Sequence, residues 1–249
     1  MNLGVYQSAS ALTSIEDWQA VTARNIASST TSGYRAHRVA FEPVMRGVEE
    51  GQKPNEDLRG QIFPAVRISQ TMAPGSIRPT GNPLDFALQG DGFFEVQTAD
   101  GRPYYTRDGQ FKINADGSLV DKNGNEVQST TGRIDVTPGG GKISIDKNGQ
   151  VFQGDVPLGQ LRVMEIGNPE NVRQSDAGFE ETELGAAGIR ELENVEVLQG
   201  FVEGSNVSPI TEMVNLIQAS RAYEANTKII KAYDQHLEKS ISQLAPPMR

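Results

Sequence analysis

The sequence has no cysteine, and it has only two histidines and one tryptophan among its 249 residues. Without cysteine the chain has no disulfide, no thiolate nucleophile and no thiolate metal site. Basic residues are also scarce: 23 lysines and arginines stand against 32 acids, and the net charge is −9. No long run of them offers the positive surface that binds a phosphate backbone, so we expect no nucleic-acid partner.

Long hydrophobic runs are missing as well. No stretch approaches the roughly 20 apolar residues of a membrane helix. Residues 1–5 show neither the basic region nor the apolar region of a signal peptide. We therefore expect a chain that is either cytoplasmic or exported without a cleaved signal. Its length suits one or two domains of ordinary size.

Groups that carry chemistry are sparse. Neither His37 nor His236 has a second histidine near it in the sequence, which argues against a metal site and against histidine acid–base catalysis. The carboxylates that could supply a glycoside-hydrolase pair are Asp85, Asp91, Glu95 and Asp108, but nothing singles out two of them. We expect no enzyme activity, no cofactor, no metal and no small-molecule substrate.

The first part of the chain predicts a helix. Residues 3–28 contain no proline and one glycine, and their apolar residues are spaced loosely as on one helix face. These are Val5, Leu12, Ile15, Trp18 and Ile26. The helix should end in the serine and threonine run at 28–32, which is followed by Gly33.

The last part predicts a longer helix. Ser208 is a natural N-cap, Pro209 suits the first helical position, and Glu212 lies where the helix dipole favours an anion. A column of apolar residues then repeats every seven positions, at Leu216, Tyr223, Ile230, Leu237 and Leu244. Its flanks are polar, so this narrow stripe needs a partner. The column would also suit an ordinary core within the chain.

The middle of the chain predicts strands. Asx-Gly pairs, the dipeptides of hairpin turns, separate short aromatic or β-branched segments. They are Asp91-Gly92, Asp100-Gly101, Asp108-Gly109, Asp116-Gly117, Asn123-Gly124 and Asn148-Gly149. We expect a β-rich domain over 80–205, an extended proline-containing connector over 35–79, and a terminal helical assembly domain formed by 1–34 and 206–245.

Four segments resemble the flagellar rod and hook family, and they follow the family's order along nearly the whole chain. The segments are Asn25-Ile26-Ala27 through Thr31-Ser32-Gly33-Tyr34-Arg35; Pro83-Leu84-Asp85-Phe86-Ala87-Leu88 through Gly90-Asp91-Gly92-Phe93-Phe94; Tyr105-Thr106-Arg107-Asp108-Gly109 with Phe111; and Glu203-Gly204-Ser205-Asn206-Val207 leading to Arg221-Ala222-Tyr223-Glu224. Within that family the fourth segment is more similar to proximal than to distal rod proteins.

The resemblance implies an α+β fold in which long N- and C-terminal helices pair as a coiled-coil-like layer, with a central antiparallel β domain outside them. It implies a rod subunit that self-assembles into a helical tube, transmits torque and conducts exported subunits. Its partners would be other rod proteins, copies of itself and the flagellar type III export apparatus, in a rod that crosses the periplasm. The assembly interface would include Leu12, Ile15, Asn25, Ile26, Gly33, Tyr34, Asn206, Leu216, Tyr223, Ile230, Leu237 and Leu244.

Two other hypotheses compete with this one. A secreted β-domain binding module or adhesin would bind a ligand and would not polymerise, and the heptad column argues against it. A glycoside hydrolase would need a defined carboxylate pair. The rod hypothesis further predicts that the terminal helices fray in the free monomer, because a narrow apolar stripe buries too little area to offset the entropy of ordering the backbone.

Overall fold

The computed structural model describes residues 3–45, 62–174, 178–182, 188–192 and 195–244. The chain divides into two compact units. Unit 1 consists of Met1–Ala27, His37–Ser69 and Ser208–Arg249; unit 2 consists of Ser28–Ala36 and Gln70–Val207. Helices lie at both ends and antiparallel strands lie between them, so the fold is α+β. No helix in the described part of the chain is long and apolar enough to cross a membrane.

Unit 1 contains both long helices and one small sheet. Helix α1 spans Leu3–Ala27 and helix α2 spans Pro209–Leu244. Strands β1 (His37–Met45) and β2 (Ile62–Gln70) pair with each other, within the segment predicted as an extended connector. The hydroxyls of Ser10 and Ser14 on α1 both donate to the Pro64 carbonyl, at 2.9 and 3.0 Å. These bonds hold α1 against β2.

The prediction that the two helices pair as a coiled-coil-like layer is wrong. The helices do touch, since Gly4 lies beside Tyr233, but a coiled coil requires its heptad column to be a buried seam. Leu216, Tyr223 and Ile230 are only half-buried, and Leu237 is 43% exposed. Among the α2 side chains that the structure describes, the fully buried one is instead the small Ala219.

Unit 2 is built from short antiparallel strands, which follow one another closely along the chain. In chain order they are β3 (Ile77–Pro79), β4 (Phe86–Gln89), β5 (Phe93–Gln97), β6 (Pro103–Thr106), β7 (Lys112–Ile113), β8 (Leu119–Val120), β9 (Glu126–Ser129), β10 (Gly132–Arg133), β11 (Ile143–Ile145), β12 (Gln150–Gln153), β13 (Val156–Gln160), β14 (Val163–Ile166), β15 (Val172–Gln174), β16 (Phe179–Glu181), β17 (Ile189–Glu191), β18 (Glu196–Gln199) and β19 (Phe201–Glu203). A 3₁₀ turn at Pro169–Asn171 precedes β15.

The largest sheet has the order β15-β16-β6-β5-β9-β8-β7; β10 also pairs with β9, and β14 pairs with both β5 and β17. Strands β11, β12 and β13 form a separate sheet. Two further pairs join distant parts of the chain, β4 with β18 and β3 with β19. The last two strands of unit 2 are therefore paired with its first two strands.

The core of unit 2 is aromatic and aliphatic. One cluster contains Phe86, Phe94, Phe111, Ile134 and Val151 among its fully buried members. Phe111 packs edge-on against Phe94, with ring centroids 5.3 Å apart. A second cluster contains Phe93 and Phe179. Because Phe93 and Phe94 are neighbours on β5, their side chains lie on opposite faces of the sheet, one in each cluster. This burial fixes which face of each strand points inward.

Four of the predicted Asx-Gly turns do connect paired strands. They join β5 to β6, β7 to β8, β8 to β9 and β11 to β12. The prediction is wrong for Asp91-Gly92 and Asp108-Gly109, whose neighbouring strands pair elsewhere. Gly109 has another reason to be glycine: a β-carbon there would lie 1.7 Å from the carbonyl oxygen of Phe86.

Candidate functional site

One buried carboxylate in unit 2, that of Glu203, gathers contacts from three distant parts of the chain. Its Oε1 accepts hydrogen bonds from Arg35 Nη1 at 2.5 Å and from the Gly75 amide at 2.7 Å. Its Oε2 accepts one from Arg107 Nη1 at 3.0 Å. Glu203 and Arg35 are each 1% exposed, and Arg107 is nearly as buried. Two cations thus share one anion in a dry environment, where losing a partner is costly.

Carbonyl oxygens and an aromatic ring hold the second guanidinium in place. Arg107 Nη2 donates to Gly90 O at 2.6 Å, and Nη1 also reaches Leu88 O at 3.4 Å. The guanidinium carbon lies 5.2 Å from the centre of the Phe93 ring, within cation–π range. Burial lowers the pKa of Arg107, while the charge of Glu203 opposes that shift and Arg35 adds to it.

Gly33 brings the turn after α1 against the same place. Its amide donates to the Glu203 carbonyl at 2.8 Å, and its φ is +71°. A β-carbon on Gly33 would lie 2.4 Å from the Asp108 nitrogen and 2.5 Å from the Arg107 carbonyl carbon. Real β-carbons do not approach backbone so closely, so this position requires glycine on two independent grounds.

Asn206 ties together three backbone segments of unit 2. Its Oδ1 accepts from the Ala36 amide and its Nδ2 donates to Ala73 O, both at 2.7 Å. Its own amide donates to Tyr34 O at 3.4 Å. The Thr71 amide donates to Ala36 O at 3.0 Å and completes the set. The carboxamide thus links the backbone of 34–36 to the backbone of 71–73 by hydrogen bonds.

Asn25 does a similar task within unit 1. Its Nδ2 donates to His37 O at 2.8 Å, and its Oδ1 accepts from the His37 amide at 3.0 Å. Both groups are buried, and the two bonds fix the start of β1. Burial lowers the pKa of His37, and the nearby charge of Arg24 acts in the same direction.

The structure places the twelve predicted interface residues in different settings. Ile15, Asn25 and Gly33 are buried, and Leu237 is exposed. Leu244 is the last residue of α2, and its side chain falls outside the described part. The half-buried ones are Leu12, Ile26, Tyr34, Asn206, Leu216, Tyr223 and Ile230. The structure brings together Gly33, Tyr34 and Asn206.

Sequence reasoning missed the three charged residues at the centre of this cluster. Arg35, Arg107 and Glu203 all stand inside the quoted segments, yet none was among the predicted interface residues. Their pairing links positions up to 168 residues apart, and no local pattern encodes it. The available signal was the presence of a charge within two residues of a glycine in each of these three segments.

Helix α2 exposes large apolar side chains in two groups. Spacings of three and four residues put each group on one side of the helix. The first group is Ile210, Met213, Val214 and Ile217, and the second is Ile229, Tyr233 and Leu237. Ile210, the most open of them, is 77% exposed. Clustered exposed apolar residues of this kind mark interaction surfaces.

Comparisons with known proteins agree with the four segments. Residues 198–244 match the family described as flagellar basal body rod FlgEFG protein C-terminal, and residues 87–153 match the flagellar hook protein FlgE/F/G D1 domain. The flagellar basal-body rod protein FlgF of Rhizobium meliloti (strain 1021) is 31% identical over 245 residues, which cover 98% of each chain. This chain belongs to the flagellar basal-body rod protein family.

Other relatives of this rod protein include both named kinds. FlgF of Escherichia coli (strain K12) is 32% identical, covering 95% of this chain and 96% of its own. FlgG of Agrobacterium fabrum (strain C58 / ATCC 33970) is 33% identical, covering 86% and 89%. The rod protein is therefore FlgF/FlgG-like.

Membership of this family decides between the competing hypotheses. The chain is a structural subunit of the flagellar basal-body rod, it is located in the basal body, and it serves motility. Other rod and hook components are its partners. The family is not one of enzymes, so the glycoside-hydrolase hypothesis is wrong. Because its members are structural rod subunits, the adhesin hypothesis is wrong as well.

Proposed function

We propose that this rod subunit assembles, through exposed faces of its terminal helices, into a helical tube that crosses the periplasm. The tube transmits torque and encloses the channel through which later flagellar subunits are exported. The observation that carries the proposal is the pair of exposed apolar groups on α2. A lone chain leaves them in water, whereas contacts with neighbouring subunits would bury them.

The physical reason for a tube is that the contacts are heterologous. A surface that binds a different surface on the next copy or relative produces a ring if the rotation closes and a filament if it does not. Burying an exposed side chain such as Ile217 contributes on the order of 1 kcal/mol or more per contact. Several such contacts along a 36-residue helix would suffice for stable stacking.

The twelve residues predicted from sequence belong to this proposal in two ways. The half-buried and exposed ones, such as Leu216, Tyr223 and Leu237, have surface available for a neighbouring subunit. The buried ones, Ile15, Asn25 and Gly33, would act by shaping the surface on which the neighbour packs. Copies of the chain and other rod proteins are both proposed as neighbours.

Assembly is tested by placing a charge within the first α2 apolar group. Ile217→Asp, expressed from a plasmid in a strain that lacks the gene, should abolish swimming and leave purified basal bodies without the tagged subunit. Gln218→Asp adds the same charge at an adjacent exposed polar position and should assemble normally. Normal incorporation of Ile217→Asp, with unchanged thermal unfolding of both variants, would contradict the proposal.

Export is tested separately by fractionation. We propose that the chain leaves the cytoplasm through the flagellar type III apparatus without a cleaved signal peptide. In a strain that lacks the flagellar export ATPase, the tagged chain should stay in the cytoplasm at its full mass. Recovery of the chain from the periplasm of that strain would show another route.

A further inference from the structure

The chain passes between its two units four times, after Ala27, Ala36, Ser69 and Val207. Asn206 lies near three of these crossings. Its side chain binds the unit 2 segments next to the crossings after Ala36 and Ser69, and it precedes the crossing after Val207 in sequence. Asn206 accepts from Ala36, donates to Ala73 and is itself one residue from the last crossing. All of these bonds lie within unit 2.

Glu203, three residues before Asn206, adds further bonds between the same segments of unit 2. It binds the segment after α1 through Arg35 and the Gly33 amide, and it binds the segment after β2 through the Gly75 amide. The amide of Gly204 adds a bond to Ser76 O at 2.9 Å. We call Arg35, Glu203 and Asn206, with the backbone groups that they bind, the clasp.

The clasp closes a long loop of chain. Arg35 and Glu203 are 168 residues apart, and the strands from β1 to β18 lie between them. A pull applied at residue 30 against residue 208, on the stretches of chain between the helices and the clasp, meets the clasp first. The strands bear the pull only after the direct bonds between 33–36 and 203–206 have broken.

We propose that the clasp is a mechanical lock that shields the β strands of unit 2 from tension applied where the chain enters unit 2 after α1 and leaves it before α2. Its use in the cell rests on the proposed torque-transmitting function; the mechanical property itself does not. The charged pairs suit such a role because they are buried, and water does not compete for the Glu203 carboxylate. Asn206 adds hydrogen bonds to the backbone at Ala36 and Ala73, which would also have to break under tension.

Single-molecule pulling on the full-length protein tests the lock. The chain has no cysteine, so Thr30→Cys and Ser208→Cys provide unique handles on either side of the clasp. The protein with an intact clasp should resist until one high-force event releases about 600 Å of chain, the extended length of the 168 residues that separate Arg35 and Glu203. With Asn206→Ala, a first event of short extension should occur at clearly lower force, followed by unfolding of the strands.

Asn82→Ala is the matched control. Asn82 is an exposed asparagine of unit 2 whose carboxamide bonds, among the described residues, to its neighbours Leu84 and Asp85. It should leave the force of the first event unchanged. If Asn206→Ala does not fold, Asn206→Asp gives the same comparison, because it keeps the acceptor for Ala36 and loses the donor to Ala73. Equal first-event forces for the protein with an intact clasp and the Asn206 variant would overturn the lock.

The outcome is separable from that of the assembly proposal. Pulling uses the purified monomer, so its result is independent of whether the chain enters the rod. A lock that holds while Ile217→Asp assembles normally would refute only the proposed assembly surface. A lock that fails while Ile217→Asp blocks assembly would leave the rod function standing and remove the clasp from it.

Discussion

Gly33 and Asp108 approach so closely in the fold that their backbones leave no room for a side chain on Gly33. A β-carbon there would lie 2.4 Å from the Asp108 nitrogen. The contact joins the turn after α1 to the segment that carries Arg107, and it lies beside the buried Glu203. The size of one residue therefore controls whether three charged partners can meet.

Gly33→Ala should lower the free energy of unfolding by about 3 kcal/mol, because it combines a strained left-handed backbone with displacement of neighbouring backbone. Urea unfolding measures this. Gly124→Ala is the control, since Gly124 also has a positive φ, +86°, but nothing lies within 4 Å of its added β-carbon. It should cost only the backbone strain, about 1 kcal/mol. Equal costs would mean that the Gly33 contact is unimportant.

Glu203→Gln should destabilise the protein by about 3–5 kcal/mol, because it leaves two buried guanidinium groups without a counter-charge. Chemical denaturation again provides the measurement. Glu165→Gln removes one partner of an ion pair with Arg190 that lies at the surface, and it should change stability little. A small effect at Glu203 would show that the two arginines are hydrated in solution.

Tyr105 predicts a loss of stability at alkaline pH. Burial, with the charges of Glu95 and Glu181, raises its pKa to about 12 from an ordinary value of 10.0. The folded protein therefore holds this proton more tightly than the unfolded chain, and the stabilisation is lost as the pH rises from about 10 to about 12. Burial also raises the pKa of Tyr104, and hydrogen bonding to Asp121 adds to that shift.

Tyr105→Phe should remove about 1 kcal/mol of the loss between pH 9 and pH 11, since a phenyl ring has no proton to release. The test compares unfolding free energies at pH 9 and pH 11. Tyr6→Phe, at an exposed tyrosine of α1, should leave the alkaline curve unchanged. A Tyr105→Phe curve parallel to that of the unsubstituted protein would contradict the shift.

The exposed second half of α2 should be incompletely ordered in the free monomer. From Ile229 to Leu237 the helix keeps apolar side chains in water and buries little, so few contacts offset the entropy of ordering it. Amide hydrogen exchange on a dilute sample should show fast exchange at 225–239 and slower exchange in β5 and β6. Protection in α2 equal to that of those strands would contradict this.

The sequence allowed prediction of what depends on neighbours in the chain. Pro209 and the run at 28–32 identify helix ends within one or two residues, and the Asp100-Gly101 turn follows from its dipeptide. The predicted helix pairing failed because a column of residues repeating every seven positions was equated with a buried seam, whereas the structure buries Ala219 instead.

The candidate site was predictable only in part. The glycine at 33 and the asparagine at 206 were among the predicted interface residues, but their reasons were not visible. Gly33 is required by the backbone at Asp108, and Asn206 by the backbone at Ala36 and Ala73. Such constraints depend on contacts between remote segments, and neither periodicity nor turn chemistry reports them.

The bond between Thr71 and Ala36, with Asn206 beside them, has a consequence for how proteins of this kind can vary. The stretch from about 74 to 202 begins and ends close together in space, so it is an insertion whose two ends are held by the same hydrogen bonds. A shorter, longer or unrelated domain whose two ends also lie close together could replace it without changing the conformation of the flanking backbone. Diversity within this stretch would then require no change in the backbone on either side of it.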